Sequence, residues 1–170
     1  MGWRAPRRLQ PGRAPPRLAR LAVLLCAALV AGPARAAVPH LVVTTADGEV
    51  LADAPLPGDG RWRLEWRHSV AQVTVVDVFE YRDGVMLVVE ELTPYLDVAG
   101  LGGFAGRGTM EQLPDGRYLL HGIDLPIPGN VHRFIIGSER APSVLVVGER
   151  RYELSRMRPG EHARLEVMPR

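Results

Sequence analysis

The stretch LEWRHSVAQVTVVDVFEYRDG, residues 64–84, decides the fold. Its apolar residues return at every second position, the period of a strand with one buried face. Extended back to Arg61, the first half puts Trp62, Leu64, Trp66, His68 and Val70 on one face and Arg61, Arg63, Glu65, Arg67 and Ser69 on the other. The second half puts Val73, Val75, Asp77, Phe79 and Tyr81 together, so Asp77 interrupts an apolar stripe. The Asp83-Gly84 pair then supplies a hairpin turn, because both residues tolerate positive φ.

If Ala71 and Gln72 form the loop between the two halves, Trp66 faces Asp77, His68 faces Val75 and Leu64 faces Phe79. All six then share one side of the pair, so the register is self-consistent. Asp77 stands diagonal to His68 in that arrangement. A carboxylate among apolar side chains costs several kcal/mol unless it is paired. The Trp66 indole N–H and a His68 ring N–H are the expected donors.

The rest of the chain repeats the pattern. Runs such as HLVVTT, VMLVVEEL, RYLLHGI, VHRFIIG, SVLVVG and HARLEVM are separated by turn signals, ADGEV and PDG among them. The count comes to about ten short strands, with no convincing helical period in any window of a dozen residues. This predicts an all-β fold, an antiparallel sandwich or a partly closed barrel. The segment ADAPLPGDG reads as a connector, and IDLPIPGN, residues 123–130, as a crossover between sheets or a docking segment. Residues 93–108 form the one long irregular region, with room for a short helical turn.

Residues 1–36 read differently. Six arginines precede the apolar run LAVLLCAALVAG, and Ala34 and Ala36 follow it at signal-peptidase spacing. The run is shorter than the roughly 20 residues a membrane span needs. A signal peptide cleaved after Ala36 is expected, with residues 37–170 a single β domain, periplasmic or secreted, that meets the membrane only through that segment. An uncleaved anchor is the alternative. Cys26, the only cysteine, lies in the apolar run behind Leu25, which does not suit lipidation. The remainder would then have no disulfide and no thiolate chemistry. It holds 14 arginines against 19 acids, a net charge of −5, so the basic character of the whole chain gives no support to nucleic-acid binding.

His, Ser and Asp in one stretch raise the possibility of a Ser/His hydrolase. Ser69 follows His68 directly in an extended strand, however, so their side chains diverge, whereas a nucleophile needs its base within about 3 Å. The chain is therefore expected not to be an enzyme. A metal site would need at least three of His68, His121, His132, Met86 and Met110 to converge, and no two histidines have ligand-pair spacing. Neither a metal nor a cofactor is expected. GLGGFA, residues 100–105, formally matches a dinucleotide fingerprint but is not followed by a helix. Gly100 and Gly102 with Arg107 either form an anion-capturing nest or simply cross a sheet edge. The candidate binding residues are thus Trp66, His68, Ser69 and Asp77, with Gly100, Gly102 and Arg107 in the loop. Small-molecule or metal binding remain alternatives to an accessory role.

WRHSVAQVTVVDVFEY (residues 66–81) and AGLGGFAGRG (residues 99–108) resemble the domain of unknown function 1850 family of small exported bacterial proteins, over about residues 41–167. The family has no established activity, and its members are similar in context to accessory proteins of tripartite solute transporters. The resemblance implies a periplasmic accessory or binding role near such an uptake system, with its solute-binding protein or permease as partner. It identifies no catalytic residue.

Overall fold

Turn chemistry does much to fold this chain. Asp83 and Gly84 both take positive φ, as the hairpin reading requires. Gly48 and Gly116 do the same in the ADGEV and PDG turns. The computed structural model describes residues 38–98, 104 and 106–169. The expected signal segment and cleavage point, and the loop glycines Gly100 and Gly102, lie outside the described residues.

Within them the chain forms β1 (His40–Thr45), β2 (Val50–Pro55), β3 (Arg61–Arg67), β4 (Thr74–Arg82), β5 (Val85–Thr93), β6 (Thr109–Gln112), β7 (Tyr118–Pro126), β8 (Val131–Ile135), β9 (Ser143–Val147), β10 (Arg150–Tyr152), α1 (Leu154–Met157) and β11 (His162–Met168). A 3₁₀ turn at Leu96–Val98 falls in the long irregular region, and a second lies at Pro128–Asn130. All pairings are antiparallel. One sheet has four strands in the order β2-β1-β11-β8, and the other has seven in the order β10-β9-β3-β4-β5-β7-β6. Two separate sheets make a sandwich rather than a barrel.

ADAPLPGDG carries the chain from the small sheet to the large one, and IDLPIPGN carries it back. Asn130 locks the second crossover. Its Oδ1 accepts from the Met86 N–H at 2.8 Å, and its Nδ2 donates to the Gly84 carbonyl at 2.8 Å.

The core lies between the inner faces. Trp62 and Leu64 of β3 are buried, and Trp62 stacks on Phe79 of β4 with ring centroids 5.7 Å apart. The opposite face of β3 carries charge. Arg61 donates to Glu80 and Glu90, both at 3.0 Å, and Arg151 donates to Glu65 at 2.8 Å. Val144 and Val146 pair with Glu65 and Arg63 on that face and are nonetheless buried, as expected where arginine stems lie across apolar side chains.

The register of β3 on β4 departs from expectation. The structure pairs Trp66 with Val75, Leu64 with Asp77 and Trp62 with Phe79. A two-residue loop at Ala71-Gln72 is replaced by a four-residue one. The His68 N–H donates to the Val73 carbonyl, the Gln72 N–H donates to the His68 carbonyl, both at 2.8 Å, and Gln72 takes positive φ. The shift is by two residues, so every side chain keeps its face.

Candidate functional site

The sandwich is open where β3 and β4 meet β8. A cleft of about 600 Å³ enters there, lined by β3, β4 and β8 and by the segment after β8. Trp66, Asp77, His132 and Phe134 line it, together with His68 and Ser69 of the loop after β3. Alternation explains the aim of each. Trp66 and Asp77 are on the inner faces of their strands. His132 and Phe134 stand two apart on β8 and are half-buried, while Arg133 between them is exposed.

The Asp77 carboxyl accepts one hydrogen bond among the described residues. The Trp66 indole Nε1 donates to its Oδ2 at 2.8 Å, a diagonal contact across the observed register. Its Oδ1 has almost no exposure to solvent and no hydrogen-bond partner among the described residues. Glu91 on β5 stands directly opposite and is 1% exposed. Burial pushes the Asp77 carboxyl up to about 7, the indole bond partly opposes the shift, and the Glu91 charge adds to it. Near neutral pH this carboxyl therefore exists in both forms.

His132 packs against rings. Its centroid is 5.0 Å from Phe79 and 5.6 Å from Phe134. Burial lowers its pKa, so at pH 7 it is a neutral imidazole with one donor and one acceptor nitrogen.

The segment after β8 is fixed by serines. The Gly137 N–H donates to Ser143 Oγ at 2.9 Å, the Ser143 N–H donates to Ser155 Oγ at 2.8 Å, and Ser155 Oγ donates to the Gly137 carbonyl at 2.6 Å. A Cβ on Gly137 would lie 1.9 Å from the Ala141 carbonyl oxygen, so only glycine allows this approach. This rim of the cleft is thus built into the fold.

Of the residues expected from sequence, Trp66 and Asp77 come together as predicted. His68 does not pair with Asp77, which corrects the expected tether. Strand β3 ends at Arg67, and the His68 Nδ1 accepts from the Ala71 N–H at 3.0 Å inside the loop. Its ring remains 6.0 Å from that of Trp66, at the cleft wall. The two-residue slip moved it out of reach. Ser69 is exposed in the loop, where its carbonyl accepts from the Gln72 side chain at 2.5 Å. No hydrogen bond joins Ser69, His68 and Asp77 among the described residues. Arg107 is exposed and not part of the cleft, and its N–H donates to the carbonyl of buried Phe104 at 2.9 Å.

The metal alternative finds no assembled centre. Among the described residues no group of three or more His, Cys, Asp or Glu side chains is placed to hold an ion. Met86 is sealed in the core, and His121 stands on β7 near Glu111 of β6. Sequence reasoning missed the cleft role of His132 and Phe134. The signal was present in VHRFIIG, where alternation puts a histidine on an apolar stripe as it does Asp77.

The fold and site define an all-β sandwich with a cleft of about 600 Å³ lined by a carboxyl and by aromatic rings. The profile of a family described as a domain of unknown function, DUF1850, matches residues 63–154. The chain belongs to that family. No curated protein and no solved structure matches it.

Proposed function

We propose that this chain is an exported binding module that holds a small molecule between β3, β4 and β8. The observation that carries the reading is the cleft itself. Its volume, about 600 Å³, is in the range of small-molecule sites, and such sites combine apolar walls with a few placed polar groups. Trp66 and Phe134 supply the walls; Asp77 and His132 supply the polar groups. The serine network supports a rim that is set before the ligand arrives, which limits the ordering cost of binding. Export rests on the arginine-rich, apolar and small-residue segments of residues 1–36. The resemblance supports a place beside a tripartite uptake system, with the module contacting its solute-binding protein or permease.

The test is a two-dimensional NMR titration of the ¹⁵N-labelled protein against solutes taken up by the host. A ligand in the cleft moves the Trp66 indole N–H and leaves the Trp62 indole in place. If no solute moves Trp66 selectively, the cleft is not a binding site. Deleting the gene should then slow uptake of the solute that binds, and unchanged uptake would remove the transporter link.

A further inference from the structure

We propose that the ligand of this cleft is an organic cation with at least one N–H, an ammonium on an apolar or aromatic body, whose N–H hydrogen-bonds Asp77. This inference rests on the cleft being a binding site and adds the chemistry of its occupant.

Three observations converge on it. Asp77 has one oxygen engaged by the Trp66 indole and one without a partner among the described residues. A second carboxyl, Glu91, stands directly opposite on β5. No lysine or arginine donates to Asp77 among the described residues, and the one charge that acts on it is that of Glu91. The carboxyl on the cleft floor is therefore an acceptor with a second carboxyl facing it across the strand pair. A buried carboxylate is stabilised by a cation that brings its own donor, and charge-assisted hydrogen bonds are the strong ones.

The walls fit the rest of such a molecule. Trp66 and Phe134 line the same cleft as the carboxyl, and aromatic rings favour a cation by their quadrupole and an apolar body by their area. His132 is neutral and does not repel a cation. The other charged or titratable groups of the lining are His68 and Arg67, both toward the hairpin loop. Residues 37–170 carry a net charge of −5, which attracts cations at long range. A bare metal ion fits less well, because the cleft assembles no trio of ligands among the described residues.

The experiment uses three probes of one shape: benzylamine, benzyl alcohol and benzoate. Each is titrated into the ¹⁵N-labelled protein at pH 8, and the Trp66 indole N–H is followed. Benzylamine should saturate this shift with an affinity at least about tenfold above the alcohol, and benzoate should bind least. Asp77→Asn should lower benzylamine affinity about tenfold and leave the alcohol unchanged. A second measurement needs no variant. Between pH 6 and pH 8 benzylamine affinity should rise about tenfold as the carboxyl ionises, because the amine stays protonated throughout. If the alcohol or benzoate binds as tightly as the amine, or if affinity ignores pH, the cation assignment is overturned while the cleft remains a binding site. If none of the three moves Trp66, both readings are overturned.

Discussion

Replacing Asp77 by asparagine tests the physics of the cleft floor most directly. In the unfolded chain the carboxyl ionises near its ordinary value of 3.8, and in the fold it ionises near 7. Between those values the folded state holds a proton that the unfolded state has released. Linkage then makes stability fall as pH rises across that window. The contribution is complete below 3.8 and gone above 7, and at about 1.4 kcal/mol per pK unit the whole span is about 4 kcal/mol. From pH 5 to pH 8, where most other carboxylates do not titrate, about 3 kcal/mol of it should be lost. The amide of the variant has no proton to exchange but can still accept from the indole. Urea unfolding of both proteins at pH 5, 6, 7 and 8 isolates Asp77, because the histidines contribute to both curves and cancel in the difference. The wild type should lose about 3 kcal/mol relative to Asp77→Asn between the extremes, seen as a shift of the midpoint at constant slope. Parallel curves, within about 0.5 kcal/mol, would show that Asp77 ionises normally and would refute the buried-carboxyl account.

Three further substitutions probe the supports of the site. Trp66→Phe removes the indole donor to Asp77, so thermal unfolding should show a loss of about 1–3 kcal/mol, and an NMR titration should place the carboxyl pKa higher still. Asn130→Ala leaves the buried Met86 N–H without its acceptor and puts alanine at positive φ, and denaturant unfolding should show a cost of about 2 kcal/mol or more. Gly137→Ala drives a Cβ into the Ala141 carbonyl and breaks the serine network, so it should cost about 2–3 kcal/mol and weaken benzylamine binding in the same titration.

The faces of the strands were legible in the sequence, and their register was not. Alternation placed Trp66 and Asp77 on one side, and a slip of two residues left that unchanged, so the contact between them survived. The slip came from the loop. Nothing in SVAQ marks Gln72 as the residue that takes positive φ, since such positions favour glycine, asparagine or aspartate. His68, at the end of the strand, bore the whole effect and lost its expected partner. The opposing sheet was harder to foresee. VHRFIIG lies more than 50 residues from Asp77 in sequence, and only the crossover through Pro128–Asn130 places His132 against Phe79. Alternation fixes which way a side chain points, not what it meets.

The position of Asp77 is costly in a way that folding does not require. Its strand neighbours on the same face are Val75 and Phe79, both fully buried, and an apolar residue between them would continue the stripe. Replacing buried charge by apolar side chains is often neutral or stabilising. The register does not depend on the carboxyl either, because the closed loop between β3 and β4 already sets it. The cost is concentrated at neutral pH, where the carboxyl begins to ionise opposite Glu91 with Oδ1 still lacking a donor among the described residues. A donor arriving through the cleft removes that cost, and it does so more completely if it carries positive charge. The same group that weakens the empty fold is therefore the one best placed to reward an occupant. That reciprocity ties the stability profile of Asp77→Asn to its ligand affinity: the substitution should flatten the first and weaken the second together.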